Sequence, residues 1–313
     1  VPVVATVALV LVLRWVMLGV VDLGHAAHYI PLGGIGKGRL RSRWTAMSHP
    51  LNTPLGRFGI TTTQEGPDGC LASIPAGGMV NPLTGAPTLA PLAMLVDHVG
   101  GLINHHRRGP GEWTVTSELA LEVDADALDV IAAAPDVDVV GRSRPFGRKS
   151  DVALAMCEFS HREVVLATAT VRSFYIALPG DLAPFPEGPT GPLPAGTLAD
   201  RMAVRVAESG GPAAVLQQLP DPVLNNSLGI VHGGVSAMAL ELVGSAAVNA
   251  DSGERPLRTA SLRVNFLRQF RVSAESRYVG TALRVGRSSG IAEAQAVGPD
   301  GQIAITARLT AYR

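Results

Sequence analysis

The chain has 313 residues, of which 47% are hydrophobic and 17% charged, so it can bury a large core and is not globally disordered. Its 26 basic and 26 acidic residues give a formal net charge of zero, which excludes a dominant basic surface and hence nucleic acid as a partner. The two cysteines are too few for a disulfide framework or a zinc knuckle, and they favour a reducing, cytoplasmic location.

Residues 1–50 are interpreted as an apolar and basic N-terminal extension. The stretch 1–21 is almost wholly apolar, and about 20 apolar residues can span a bilayer as a helix. The basic residues within 37–43 would then stay on the cytoplasmic side. The alternative is an overextended reading frame or a tail that does not fold. We therefore expect membrane association only if 1–21 is a real anchor.

The most informative pattern is an internal repeat with an offset near 144 residues. The matching pairs include Asn81 and Asn225, Gly85 and Gly229, Asp97 and Glu241, and Thr116 and Thr259. The offset drifts slowly along the chain, as expected if insertions and deletions fall in loops. Several matches in the same order predict two related structural units.

A segment rich in proline and glycine, residues 179–196, separates the two units. Such a composition cannot continue a helix or a central strand, so it is interpreted as a semi-extended linker. The predicted units are therefore 51–178 and 197–313.

Within the second unit, an apolar helix is predicted at 234–248 and is followed by segments of alternating polarity. Residues 259–266 alternate in the manner of a half-buried strand. The Gly-Pro-Asp-Gly sequence at 298–301 predicts the turn of a hairpin. One helix with four or more antiparallel strands in each unit indicates an α+β fold.

The second unit also carries a sequence motif, Asn-Asn-Ser-Leu-Gly-Ile-Val-His-Gly-Gly-Val at 225–235. With Asn226, His232, Gly233, Glu241 and Thr259 at characteristic spacings, it resembles the hotdog acyl-CoA thioesterases, in particular the phenylacetyl-CoA thioesterase type. The resemblance covers the second unit from end to end and the first more faintly. It implies a tandem (double) hotdog, in which each repeat is an antiparallel sheet wrapped around one central helix. The implied activity is hydrolysis of an acyl-CoA thioester.

The chemistry of that reaction selects the residues of the predicted site. It needs hydrogen-bond donors for a developing oxyanion and a carboxylate that activates water or attacks directly. A helix N-terminus presents free N–H groups, and glycine lets a carbonyl approach them, so we expect the Gly233 N–H to be the electrophile. Glu241 lies eight residues further along the same helix, about 12 Å away, and cannot reach the same carbon. The carboxylate is therefore expected from the other repeat, as Asp97.

The remaining roles follow from this crossed pairing. Asp97 is the predicted general base or nucleophile, and Thr116 would orient the water. Asn226 would polarise the carbonyl together with Gly233, and His232 would position the loop and the thioester. The plainer alternatives are that His232 only caps the helix and that Asp97 is a solvated side chain.

A mirror-image site would join Glu241 and Thr259 to the loop of the first unit. In that loop, the aligned sequence places Pro82 opposite Asn226, Thr88 opposite His232, and Leu89 opposite Gly233. Because leucine would obstruct the approach of a carbonyl, we predict that this second site is degenerate.

Two arginines, Arg148 and Arg287, recur at matching positions before serine. They are interpreted either as ligands of the CoA phosphates or as structural residues. The histidines at 98, 105 and 106 do not have the spacing of a metal site. We expect neither a metal nor a cofactor, since CoA belongs to the substrate.

Two other functions are compatible with these patterns. One is a non-catalytic acyl-CoA-binding or regulatory protein, since one site is already degraded. The other, a hotdog hydratase, is disfavoured because the chain has no Asp-x-Asn-x-x-His-like motif. Two fused units already form a pseudo-dimer, so a homo-oligomer of pseudo-dimers is a further prediction.

Overall fold

The computed structural model describes residues 46–187, 196–209, 213–251 and 256–313. In these ranges, one antiparallel sheet of thirteen strands wraps around two long helices. The anchor predicted for 1–21 lies outside the described residues. Inside them, no helix combines the length and apolar character needed to cross a bilayer.

The first half of the chain contributes seven strands and three helices. In chain order these are β1 (Met47–Ser48), α1 (Pro54–Arg57), β2 (Thr61–Gln64), β3 (Cys70–Ile74), α2 (Ala90–His106), β4 (Glu112–Val123), α3 (Ala127–Ala132), β5 (Val139–Phe146), β6 (Val152–His161) and β7 (Val164–Ala177). The strand β1 lies within the predicted N-terminal extension and pairs with β2, so the sheet begins slightly before the predicted first unit.

The second half repeats the order of strands β2 to β7 around its own long helix, and its described residues include no counterpart of β1 or α3. Its elements are α4 (Leu198–Met202), β8 (Val204–Glu208), β9 (Ala213–Gln218), a short 3₁₀ turn (Pro222–Leu224), α5 (Gly233–Val248), β10 (Arg258–Phe266), β11 (Arg277–Val285), β12 (Ser289–Val297) and β13 (Ile303–Tyr312). The predicted unit boundaries at 178 and 197 fall between the end of β7 and the start of α4. The exact boundaries stay a prediction.

The strand order relates the two halves by an approximate two-fold symmetry. It runs β1-β2-β3-β5-β6-β7-β4-β10-β13-β12-β11-β9-β8, so β4 and β10 meet at the centre and, leaving β1 aside, each half mirrors the other. The central pair is antiparallel, from Ser261 opposite Glu122 to Asn265 opposite Glu118. The predicted tandem double hotdog is confirmed by this topology.

The two long helices lie on the inner face of the sheet and pack against each other. Both are apolar almost all round, and nearly all of their residues are buried. Helix α2 ends at His106 with Arg107 as its C-cap, at a position where positive charge is favourable.

The predicted strand pattern is also observed. In β10, Leu262 and Val264 are buried, whereas Arg263 and Asn265 between them are exposed. The predicted turn at 298–301 joins β12 to β13, and Gly301 adopts a φ of 73°, a left-handed conformation that glycine tolerates.

Two adjacent glycines of α2 have different surroundings. A Cβ atom at Gly100 would lie 2.4 Å from Val171 Cγ2, so the close approach of α2 to β7 requires a glycine there. At Gly101, the nearest atom to such a Cβ is Thr116 Oγ1, at 3.7 Å, an ordinary contact distance. Gly100 is therefore required by packing, and Gly101 is not.

We expect Gly100→Ala to lower the free energy of unfolding by about 1–3 kcal/mol, because the added methyl group overpacks the core. Gly101→Ala is the matched control, and we expect it to raise that free energy by about 0.5–1 kcal/mol, because alanine favours the helix. Urea unfolding followed by circular dichroism measures both. Equal effects of the two substitutions would contradict this assignment.

Candidate active site

The loop before α5 is held in shape by its own hydrogen bonds. The backbone N–H of Asn226 donates to Ile230 O at 2.8 Å, and its side-chain Oδ1 accepts from the N–H of Leu228 at 2.9 Å. The N–H of His232 donates to Leu224 O at 2.9 Å. These bonds fix His232 as the N-cap of the helix that begins at Gly233.

A carboxylate from the first repeat lies against this helix start. Asp97, in the middle of α2, is 8% exposed, and its Oδ2 lies 3.3 Å from His232 Nδ1. A Cβ atom on Gly233 would come within 2.9 Å of the same Oδ2, so only glycine leaves the space open. The structure therefore brings together the two groups that the crossed pairing predicts, Asp97 and Gly233.

The other oxygen of this carboxylate is held by Thr116, whose Oγ1 donates to Asp97 Oδ1 at 3.2 Å. The ladder between β4 and β7 shifts register directly after Thr116, at a β-bulge. Bulges commonly redirect a side chain, and the one in β10 lies at the equivalent place, after Thr259. The bulge and the hydrogen bond leave Oδ2 as the carboxylate oxygen nearest the helix start.

His232 is a neutral imidazole in this arrangement. Its Nδ1 accepts the backbone N–H of Gly234 at 3.1 Å, so this lone pair is already used. Burial lowers the pKa of His232, and the nearby charge of Asp97 opposes that effect only in part. We therefore interpret the 3.3 Å approach of His232 Nδ1 to Asp97 Oδ2 as a contact between two acceptor atoms, which is neither a hydrogen bond nor an ion pair.

A cavity of about 630 Å³ opens at this point. Its walls include all five residues of the predicted crossed site, which are Asp97, Thr116, Asn226, His232 and Gly233. One lobe lies between α2 and the strands β4 and β7, and its walls include Gly101, Leu102, His105, Trp113, Val115 and Ser173. The other side is bordered by residues 266–270, of which Leu267, Arg268 and Gln269 are exposed.

The predicted linker also contributes residues to the cavity wall. Sequence reasoning missed this contribution. Pro179, Asp181 and Phe185 line it. The N–H of Ala183 donates to the backbone oxygen of Ser227 at 2.8 Å, so the linker is attached to the loop that precedes α5. A proline-rich composition indicates an extended chain, but carries no signal for the surface that the chain will cover.

The mirror-image carboxylate is enclosed instead of open. Glu241 is 3% exposed, and it accepts hydrogen bonds from Thr88 Oγ1 at 3.0 Å and from Thr259 Oγ1 at 2.6 Å. Thr88 Oγ1 also accepts the backbone N–H of Ala90, just as His232 Nδ1 accepts that of Gly234. Thr88 is thus the counterpart of His232, and Glu241 does not line the cavity around Asp97.

The predicted counterpart of Asn226 was wrong by one residue, and so was the match of Asn81 with Asn225, since the equivalent isolated bridges are formed by Val80 and Asn225. Asn81, not Pro82, has the equivalent contacts, because its Oδ1 accepts the N–H of the residue two positions further on. The loop of the first repeat has one more residue between this asparagine and the glycine with positive φ, Gly85 in one repeat and Gly229 in the other. The sequence offset between the repeats is therefore 145 residues at the asparagine and 144 residues at the glycine, so it changes within the loop itself.

The structure does not bring Arg148 and Arg287 to the cavity. Both are exposed, in the equivalent turns between β5 and β6 and between β11 and β12, and neither lines the cavity wall. Their contact with CoA stays a prediction. The cation that the structure does place on the cavity rim is Arg268, which sequence reasoning missed.

Residues 228–305 match the family model described as Thioesterase superfamily, so the predicted resemblance is confirmed over the part of the second repeat that includes His232 and Gly233. No curated protein matches the chain. Three similar solved structures are the tesB protein of Mycobacterium avium subspecies paratuberculosis, a candidate thioesterase from Novosphingobium aromaticivorans and a candidate thioesterase II from Thermobifida fusca.

Each of the three is 11% identical to this chain with a TM-score of 0.52. The alignments cover 80% of this chain and 95%, 97% and 96% of theirs, in the same order. Their names are of the tesB and thioesterase II type, so the comparison with the phenylacetyl-CoA type is only approximate. At this identity the likeness shows a common fold.

The enclosed Glu241 generates a prediction about pH. Burial raises its pKa, and the hydrogen bonds from Thr259, Thr88 and Ser245 oppose this only in part. The folded chain then keeps a proton that the unfolded chain releases, so this group destabilises the fold increasingly as pH rises above the unfolded pKa of about 4.3.

We therefore expect the stability of Glu241→Gln relative to the parent protein to increase as pH rises from 4 toward neutrality, and to level off once the pH passes the folded pKa. Urea midpoints measured across this range check the trend, with Glu208→Gln, on an exposed residue of β8, as the control. A difference that stays constant over the range would show that Glu241 has no raised pKa.

Proposed function

We propose that this chain hydrolyses an acyl-CoA thioester to a free acid and CoA at the site between Asp97 and Gly233. The observation that carries the proposal is the position of Asp97 Oδ2, within 2.9 Å of where a Cβ of Gly233 would lie. A carboxylate and the first amide of a helix, supplied by different repeats, thereby face one cavity. This is the arrangement that attack on a polarised carbonyl requires.

The electrophilic side of the site is the start of α5. In the described part of the chain, the N–H of Gly233 donates no hydrogen bond to a protein acceptor. Such an amide, at the positive end of a helix dipole, stabilises the negative charge that develops on a thioester oxygen. Glycine is required at this position, since Asp97 and Phe266 leave no room for a side chain.

The nucleophilic side is the free oxygen of Asp97. Because Thr116 holds Oδ1, Oδ2 is the atom that would either take a proton from water or attack the thioester carbon itself. In both routes the bond between carbon and sulfur breaks, and the thiolate of CoA leaves. Product acid forms directly in the first route and by hydrolysis of an acyl-Asp97 anhydride in the second.

Asn226 and His232 support the carbonyl-binding loop. Oδ1 of Asn226 accepts hydrogen bonds within the loop, and its Nδ2 group is the donor that can be directed toward a bound thioester. His232 caps the helix through Nδ1 and leaves its Nε2–H as a second donor. Arg268, exposed on the rim, offers a guanidinium to a phosphate of the carrier.

We expect Asp97→Asn to lower kcat by about 10²–10⁴-fold, because the amide can neither accept a proton nor attack. Glu241→Gln is the matched control, since it makes the same change in the enclosed mirror position, and turnover should persist. Release of CoA thiol from a panel of acyl-CoAs, followed with a thiol reagent, measures both.

Two outcomes would contradict this proposal. Loss of turnover only in Glu241→Gln would show that the crossed pairing is wrong. Saturable acyl-CoA binding by the parent protein without thiol release would support a binding protein instead of a hydrolase. Where turnover occurs, a single turnover in ¹⁸O-labelled water tests for direct attack by Asp97. Hydrolysis of the anhydride at the Asp97 carbonyl leaves the first product acid with no label and puts the label in Asp97, whereas attack by water on the thioester puts one labelled oxygen in the acid.

Gly233→Ala tests the electrophilic side. We expect kcat/KM to fall by about 10²–10³-fold, the range found when an oxyanion donor is lost, because the methyl group would displace Asp97 Oδ2 and block the amide. Gly244→Ala in the same helix is the control, since its added Cβ would lie 3.3 Å from Leu309 and Gly244 does not line the cavity. Similar losses in both variants would place the effect in the fold and not in the site.

A further inference from the structure

The residue one turn after each carboxylate differs between the two repeats. Asp97 is followed four positions later by Gly101, and Glu241 by Ser245. Residues four apart lie on the same face of a helix, so each of these positions borders its own carboxylate. The two repeats otherwise keep the threonine and the loop asparagine that surround the carboxylate.

In the mirror position, the serine helps to close the site. Asn81 Nδ2 donates to Ser245 Oγ at 3.1 Å and to the backbone oxygen of Leu242 at 2.9 Å. Ser245 Oγ in turn donates to the same backbone oxygen of Leu242, at 3.3 Å. These bonds join the loop of the first repeat to α5 and leave Glu241 enclosed.

In the open position, this bridge is missing. Gly101 has no hydroxyl for Asn226, the counterpart of Asn81, and both residues line the cavity. A Cβ at Gly101 meets only Thr116 Oγ1, at 3.7 Å, so a larger side chain would extend into the cavity without a clash near its base. The helix itself does not require this glycine, in contrast to Gly100, where a Cβ would overlap Val171.

We propose that Gly101 is a specificity-determining residue, and that the acyl group of the substrate lies over it in the lobe between α2 and the strands β4 and β7. This inference rests on the proposed function, because it takes the thioester carbon to lie between Asp97 and Gly233. The lobe follows one face of α2 from Asp97 to His105, which is eight residues or about 12 Å.

The far end of the lobe limits the length of the acyl group. Trp113 and His105 line the lobe there and are 4% and 7% exposed. Their rings make an edge contact, with 5.0 Å between the ring centroids. Leu102 and Val115 supply apolar walls along the way. The substrate class that fits is an acyl group of medium length, longer than acetyl and shorter than the long chains of membrane lipids.

The test measures kcat/KM for acetyl-, hexanoyl-, decanoyl- and hexadecanoyl-CoA in the parent protein, Gly101→Ala and Gly101→Leu. We expect the parent to prefer hexanoyl- or decanoyl-CoA. The ratio of decanoyl to acetyl kcat/KM should fall in Gly101→Ala, and by about 10–200-fold in Gly101→Leu, the range that one methylene group contributes in an apolar pocket. Ser245→Ala, in the mirror position, should leave this ratio unchanged.

Gly101→Ser adds a second readout. Its hydroxyl would allow Asn226 to form the bridge that Asn81 forms with Ser245, so we expect it to lose more kcat/KM for every substrate than Gly101→Ala does. Circular dichroism and thermal unfolding establish that each variant is folded. If Gly101→Leu lowers kcat/KM equally for acetyl- and decanoyl-CoA, or lowers neither, the ratio stays the same and the proposal is overturned.

If the parent protein releases no thiol from any substrate, the proposed function fails, and the same variants still test the acyl site. Binding of acetyl- and decanoyl-CoA analogues with a non-hydrolysable thioether is then measured by calorimetry. A fall in the preference for the decanoyl analogue in Gly101→Leu supports the assignment of the lobe. An unchanged preference for the decanoyl analogue would overturn this assignment.

Discussion

The antiparallel pairing of β4 with β10 fixes the geometry of the site, because it joins two half-sheets and holds α2 against α5. Each helix is packed on its own half-sheet, so the register of this central pair determines which residues of one helix face the start of the other. That register sets Asp97 beside Gly233 and Glu241 beside Thr88. Neither pair could form within a single repeat, since a helix cannot bend its middle back to its own first turn.

Once the two carboxylates are placed in this way, the surrounding hydrogen bonds decide their chemistry. Thr116 and Thr259 make the same contact in the two repeats, so they do not distinguish the sites. The difference lies on the opposite side of each carboxylate, where Thr88 donates directly to Glu241, whereas the ring of His232 only approaches Asp97. A carboxylate with all its neighbours bonded to it is a structural group, and one with a free oxygen facing a cavity is available for a reaction.

Much of this arrangement could be predicted from sequence, because it depends on distances that the chain itself sets. The helix rise alone separates Gly233 from Glu241 and directs attention to Asp97. The sequence comparison set Pro82 instead of Asn81 opposite Asn226, because one inserted residue shifts the offset between the two loops without changing their composition. The contribution of Phe185 was missed because a linker sequence does not encode its route across the surface. Gly101 was missed because only the packed structure distinguishes it from Gly100.

The covalent connection between the repeats has a consequence for how such a chain can vary. In a symmetric dimer of identical subunits, any substitution appears in both sites at once, so a change that closes one site closes the other. Here the loop residues Thr88 and His232 are encoded separately, and so are Ser245 and Gly101. Because the repeats are fused, their two sites need not have the same sequence. The site at Glu241 has been able to become a rigid internal contact, while the site at Asp97 has kept an opening.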